Sequence, residues 1–156
     1  MRCDRRMSTQ FLDSRLSLNN TSSSGTEPLT ETPTLYGDIG LQTVNAIGTP
    51  NVNDVRIQLW GMVGVFRSES NAVDIFIERG GTGVFGTGTL IFSLNIELSA
   101  GPGHRDLTFV TGDFPPLADV VTGQIRYCMY LAINEPTDVI LSGPVTFVGS
   151  ASAGTS

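Results

Sequence analysis

The chain has 156 residues, enough for one domain, and hydrophobic residues make up 40% of it, which excludes a wholly disordered polypeptide. Only 15% of the residues are charged, and all nine basic residues are arginines, because the sequence contains no lysine. The net charge of −6 opposes sequence-independent binding to nucleic acid or to an anionic membrane, so we expect neither as a partner.

The first segment in chain order, residues 1–20, is basic. Four arginines and two aspartates give it a net charge of +2, whereas the other 136 residues carry five arginines and thirteen acids, a net charge of −8. The sequence leaves two interpretations open: a disordered tail, or a connector arm that adds as a strand to a sheet edge of a neighbouring acidic subunit. The docking residues of such an arm are Cys3, Arg5, Arg6, Phe11, Leu12 and Leu16.

Residues 21–34 have the composition of a linker. Eight of these fourteen residues are Ser or Thr, and Pro28 and Pro33 keep the segment extended. At about 3.3 Å per residue the linker spans on the order of 45 Å, which lets the arm reach the next subunit. Residues 1–20 contain no apolar run of seven residues, so we expect no signal peptide.

Residues 35–151 alternate apolar and polar side chains with a period of two, the pattern of strands that are buried on one face. Such a series of short strands without a helix predicts an all-β domain, an antiparallel β-sandwich of the jelly-roll type. Residues 152–156 are small and polar, and we expect them to fray. The clearest alternating runs are 55–66, 71–81, 88–98 and 123–134.

Large apolar residues also occur on the strand faces opposite to the core. A chain with so few charges exposes such residues where other subunits cover them, so their number predicts self-association. The full set is Trp60, Met62, Phe66, Phe76, Ile91, Tyr130, Ile140 and Val148. The residues predicted to form a subunit interface are Trp60, Phe66, Phe76 and Tyr130.

The sequence offers little for catalysis. His104 is the only histidine, and the tripeptide that it begins is interpreted as a turn after Gly101-Pro102-Gly103. No Gly-x-Ser-x-Gly motif and no lysine nucleophile are present, and no calcium-loop motif occurs. We therefore expect no enzyme, no metal site and no cofactor.

The two cysteines, Cys3 and Cys128, lie at opposite ends of the chain, which is not the pattern of a disulfide-stabilised small domain or of a metal site. Two interpretations stay open. They are unrelated thiols, with Cys128 buried as a small hydrophobic residue, or they form a disulfide between two subunits.

The succession of alternating runs, with the closing segment VTFVGSAS at 145–152, resembles small jelly rolls of spore-forming Firmicutes, namely exosporium proteins of TNF-like topology and endospore appendage subunits. An N-terminal connector with a cysteine ahead of the domain is similar too. The resemblance implies a self-assembling subunit of an extracellular fibre or spore-surface appendage, built from stacked trimers whose arms link successive layers, alone or with other surface-layer proteins.

Two further function classes share these features. A phage or viral decoration or fibre-head protein in a virion also combines a jelly roll with an arm. A TNF-like ligand-binding head has the same fold, but it exposes an aromatic-lined cleft, whereas an assembly subunit buries its aromatic residues between copies.

Overall fold

A computed structural model describes residues 9–99 and 101–154. These residues form ten strands, a single turn of 3-10 helix at Val44–Ala46 and a one-turn helix α1, Leu117–Val120; neither helical turn is long and apolar enough to cross a membrane. The strands are β1 Gln10–Asn20, β2 Glu27–Pro28, β3 Thr34–Gln42, β4 Val55–Arg67, β5 Asn71–Arg79, β6 Thr89–Leu98, β7 Gly103–Asp113, β8 Gln124–Ile133, β9 Val139–Leu141 and β10 Val145–Ala153.

The strands form two antiparallel sheets that pack face to face. The first sheet runs β1-β10-β4-β7, with β2 and β9 continuing the lines of β1 and β10; the second sheet runs β3-β8-β5-β6. Successive long strands cross between the sheets except at β5 and β6, which form a hairpin. This order is that of a jelly roll, so the predicted fold class is confirmed.

The core lies between the sheets and is built from the inward residues of the alternating runs. Leu59 of β4, Ile75 of β5, Leu131 of β8 and Phe147 of β10 are completely buried. Burying a large apolar side chain contributes roughly 2 kcal/mol, so these four strands supply much of the driving force for folding.

The structure corrects the predicted segment boundaries at both ends. Gln10–Asn20, assigned to an arm, form β1 and pair with β10 of the same chain. The linker contains β2, and Leu29 within it is 4% exposed and belongs to the core. Ala153, expected to fray, closes β10 and is fully buried. The described domain therefore runs from about residue 10 to residue 153, and the Ser/Thr-rich segment is a connection between the two sheets.

A partly buried ion-pair network joins the two sheets at one end of the sandwich. Arg79 of β5 donates to both carboxylate oxygens of Asp113 in β7, at 2.9 and 2.8 Å, and through Nε to Asp119 of α1 at 2.8 Å. The Tyr127 hydroxyl donates to the same Asp113 at 2.8 Å. Burial opposes the charge of Arg79, but the bonds to Asp113 outweigh it and raise the pKa of Arg79. Burial, reinforced by Asp113, also raises the pKa of Tyr127.

Candidate assembly surface

The outer face of the β1-β10-β4-β7 sheet carries an apolar row that crosses all four strands. Strand pairing aligns Leu16 with Val148, Val148 with Trp60, and Trp60 with Val110. Directly opposed residues of antiparallel strands point to the same face, so the four side chains lie side by side on the outside of the domain. Leu16 is 58% exposed, Trp60 38% and Val110 80%. We call these four residues the apolar row.

The surroundings of the apolar row are uncharged over several residues. One neighbouring row contains Leu18, Thr146, Met62 and Thr108, and the other contains Ser14, Ser150, Gln58 and Gly112. Charges on this face first occur four residues from Trp60 along β4. Arg56 lies four residues before Trp60, and Asp106 of β7 pairs with Gly64, which lies four residues after it. We call the surface between these two charges the open face.

Two of the four residues that were predicted to form a subunit interface are exposed in the structure. Trp60 and Phe66 are each 38% exposed on the outside of β4. Phe76 and Tyr130 lie on the outside of the second sheet, where Phe85 of the chain's own β5–β6 loop covers them, with ring centroids 4.9 Å and 5.4 Å away. Tyr130 is completely buried, so its predicted role in a subunit interface is corrected. It contributes to a second, internal cluster.

The loop that covers the second sheet, residues 80–88, is held by a buried carboxylate. Glu78 is 2% exposed, and its two oxygens accept hydrogen bonds from the amides of Gly86 at 2.7 Å and Gly88 at 3.2 Å. Gly86 has φ +88°, a conformation that favours glycine. Because the loop covers the second sheet in this way, the two outer faces differ, and the first sheet holds the open face.

The residues predicted to dock an arm lie in different environments, one in the core and two on the surface. Leu12 is 8% exposed and lies in the core, next to an irregularity in the β1–β10 register, whereas Phe11 and Leu16 are exposed on the outside of β1. Cys3, Arg5 and Arg6 lie outside the described residues. Leu12 therefore anchors β1 to its own domain, and Leu16 belongs to the apolar row.

Cys128 is completely buried and lies on the outer face of the second sheet, the face that carries the β5–β6 loop. Its Sγ atom lies 3.8 Å from Oδ1 of Asp38, and burial, with the charge of Asp38, raises the pKa of the thiol. A thiol that is both buried and protonated reacts slowly. The disulfide between Cys3 and Cys128 stays a prediction, and it requires access to Cys128.

We expect Cys128 to resist thiol reagents in the folded protein. In a Cys3→Ser variant, which leaves Cys128 as the one cysteine, Ellman's reagent is expected to titrate the thiol only after denaturant is added. Free Cys in a peptide of the same sequence around residue 128 serves as the control for intrinsic reactivity. Complete reaction of the native variant within the dead time of mixing would contradict the burial of this thiol.

His104 is not in a turn, as the sequence suggested, but in β7. Its Nδ1 lies 3.0 Å from Oγ of Ser142 and its Nε2 lies 3.1 Å from Oδ1 of Asp106. Ser, His and Asp are the residue types of a nucleophilic triad, but Ser142 is buried, with 5% of its surface exposed. The arrangement therefore joins the β9–β10 corner to β7.

A groove of about 450 Å³ lies at the end of the sandwich that holds the Arg79 network. It is lined by glycine, threonine and charged residues together with Gln124 and Ile125, and none of its lining residues is aromatic. Arg126 on its rim is occupied by Asp38, to which it donates at 2.9 and 2.6 Å. Among the residues that the structure describes, no group of three or more His, Cys, Asp or Glu side chains is placed to hold a metal ion.

No protein-family model matches this chain, and no curated protein matches it. Among solved structures, it is similar to a chain of infectious bursal disease virus, Gt strain, with 8% identity and a TM-score of 0.49, and it spans 42% of that chain. It is also similar to the tobacco streak virus coat protein, with 9% identity, a TM-score of 0.32 and coverage of 100% and 92% of the two chains. A third structure, described as a CBM4, gives 10% identity, a TM-score of 0.28 and coverage of 88% and 89%. These likenesses are too distant to assign a role.

Proposed function

We propose that this protein is a structural subunit that assembles with copies of itself through the open face. The observation that carries the proposal is the apolar row, which is four strands wide. Val110, at the end of the row on the edge strand β7, is 80% exposed. Monomeric soluble proteins rarely leave a contiguous apolar patch of several hundred Å² uncovered. A second copy of the same face is a matching partner because both surfaces are apolar and uncharged in the middle.

The size of the open face suits an interface between copies. Four strands at a spacing of about 4.8 Å, each roughly nine residues long at about 3.3 Å per residue, cover on the order of 550 Å² in projection. The accessible area of a corrugated surface is larger than its projection, and a standard interface buries about 800 Å² per partner. One face is thus close to the size that a stable contact requires.

The proposed role is that of an assembly subunit rather than a binding head or an enzyme. A binding head needs an aromatic-lined cleft, whereas the groove beside Arg126 has no aromatic lining. A catalytic serine must be accessible to its substrate, whereas Ser142, which lies at hydrogen-bond distance from the imidazole of His104, is buried.

The finer proposal concerns the assembly to which the subunit belongs. An extracellular fibre or spore-surface appendage, linked by arms, is one form, and a virion surface is the other. Residues 1–8 hold three arginines and one aspartate, a charge of +2, and the remaining 148 residues hold six arginines and fourteen acids, a charge of −8. This contrast supports docking of the N-terminal segment, with Cys3, Arg5 and Arg6, on the body of another copy.

Sedimentation velocity and negative-stain electron microscopy of the purified chain test the proposal together. We expect a concentration-dependent shift from monomer to oligomer, with filaments for an appendage subunit and closed shells or patches for a virion protein. Deletion of residues 2–8 is expected to keep the face-to-face contact and to remove higher-order growth. A chain that stays monomeric up to millimolar concentration would contradict the proposed function.

A further inference from the structure

Among the described residues, the two charges that bound the open face lack a full set of partners. Arg56 makes one long contact, from Nη2 to Oγ1 of Thr9 at 3.4 Å, and no described residue accepts a hydrogen bond from its buried Nε. Among the described residues no carboxylate lies within ion-pair distance of Arg56. The side chain of Asp106 is 50% exposed, and in the part of the chain that the structure describes its one polar partner is the imidazole of His104. A cation and an anion are therefore both available to a neighbouring molecule.

Their positions are symmetric about the apolar row. Arg56 precedes Trp60 by four residues on β4, and Asp106 pairs with Gly64, which follows Trp60 by four residues. Eight residues of antiparallel strand separate the two charges along the sheet, a distance of about 27 Å. Trp60 lies at the midpoint.

We infer that two copies stack through their open faces in antiparallel orientation, about a two-fold axis that runs along the apolar row. The inference rests on the proposed function and specifies the partner and its orientation. A rotation about that axis packs each apolar row on its copy and carries Arg56 of one subunit towards Asp106 of the other, once at each end of the contact. A two-fold axis parallel to the strands, through the middle of the row, would instead place Arg56 near Arg56, which like-charge repulsion opposes, and would bring no cation of the face to Asp106.

Two further polar groups near the ends of the face, an imidazole and a carboxylate, fit the same orientation. His104 lies on β7 six residues beyond the row of Trp60, and Asp54, the residue just before β4, precedes Trp60 by six residues. The antiparallel arrangement brings these two groups to the same end of the contact as well. Arg105 has the opposite strand parity to Asp106 and points away from the open face.

Charge reversal at the two sites tests the orientation. Each single variant, Arg56→Asp and Asp106→Arg, creates two like-charge contacts per dimer and is expected to weaken association about tenfold at low salt. The double variant, which exchanges the charges, is expected to restore the association constant to within about threefold of the native value. Sedimentation equilibrium measures all three, with circular dichroism as the check on folding.

Arg105→Asp is the matched control for Arg56→Asp, because it changes the net charge by the same amount. Arg105 is the neighbour of Asp106 in the chain, but it lies off the open face. We expect it to change association by no more than about twofold. Asp106 is half exposed on an edge strand, so Asp106→Arg remains informative even if Arg56→Asp does not fold. The loss of association in Asp106→Arg should become smaller as the salt concentration rises, because salt screens the repulsion between charges.

The outcomes separate the inference from the proposed function. If Val110→Asp abolishes association but the double charge exchange recovers nothing over the single variants, the two-fold arrangement is overturned and the assembly surface stands. If neither Val110→Asp nor the charge reversals alter association, the assembly surface itself is overturned.

Discussion

Replacement of Val110 with aspartate is expected to weaken self-association at least about a hundredfold, because it buries an unpaired carboxylate at the β7 end of the apolar row in each contact. Val110 is 80% exposed in the isolated chain, so the substitution removes almost nothing from the fold. Sedimentation equilibrium over a wide concentration range gives the association constant directly.

Val84→Asp is the control for the added charge. Val84 is 64% exposed in the β5–β6 loop, on the far side of the domain from the apolar row, and the variant should associate as the native protein does. Trp60→Ser provides a second probe of the same face, with an expected loss of about tenfold or more, because a central tryptophan dominates many interfaces. Equal effects of Val84→Asp and Val110→Asp would show that net charge, not the open face, controls association.

Replacement of Arg79 with alanine is expected to lower the free energy of unfolding by about 3 kcal/mol, the largest single effect on stability that we predict. The change leaves the partly buried carboxylate of Asp113 without its bidentate partner and removes the second bond to Asp119. Denaturant unfolding measures the loss. The experiment is best done in the Val110→Asp background, where the unfolding transition is not shifted by association.

Arg126→Ala is the matched control for the loss of an arginine. Arg126 makes an equally close bidentate pair with Asp38, but the two side chains are 36% and 42% exposed. Solvent screens an exposed pair, so we expect a loss of no more than about 1 kcal/mol. A loss in Arg79→Ala as small as that in Arg126→Ala would contradict the role of the buried network in joining the two sheets.

Period-two alternation predicted the central strands closely. The run 55–66 became β4, Val55–Arg67, and the run 123–134 became β8, Gln124–Ile133. The outward residues of β4 are mostly more exposed than its inward ones, so its pattern in the sequence reflects the packing directly. The inward residues of β8 follow the same alternation, although Cys128 and Tyr130 on its outer face are buried as well.

The first strand escaped detection because its alternation is interrupted. A register irregularity between Phe11 and Asp13 places Leu12 inside the sandwich and Leu16 and Leu18 outside. One extra residue reverses the face of every residue that follows, so the apolar positions no longer share a parity. The Ser/Thr-rich segment that follows β1 has the composition of a linker, and for this reason β1 was assigned to an arm and not to the domain.

The candidate site was predicted only in part, for reasons of long-range structure. The parity of Trp60 on β4 is visible in the sequence, but its alignment with Leu16, Val148 and Val110 depends on the order of strands from both ends of the chain. The burial of Tyr130 depends on a glycine-rich loop that folds back through Glu78, and no periodic signal marks such a contact.

The place of β10 in the first sheet bears on how the chain acquires its fold during synthesis. The last strand lies between β1 and β4, and the register joins Gln10 to Ala153. Until β10 has left the ribosome, β1 has no neighbour in its sheet, and β4 lacks its partner along one edge. We therefore expect β1 to remain without a strand partner during translation, exposed to chaperones, and the first sheet to close only when β10 is available.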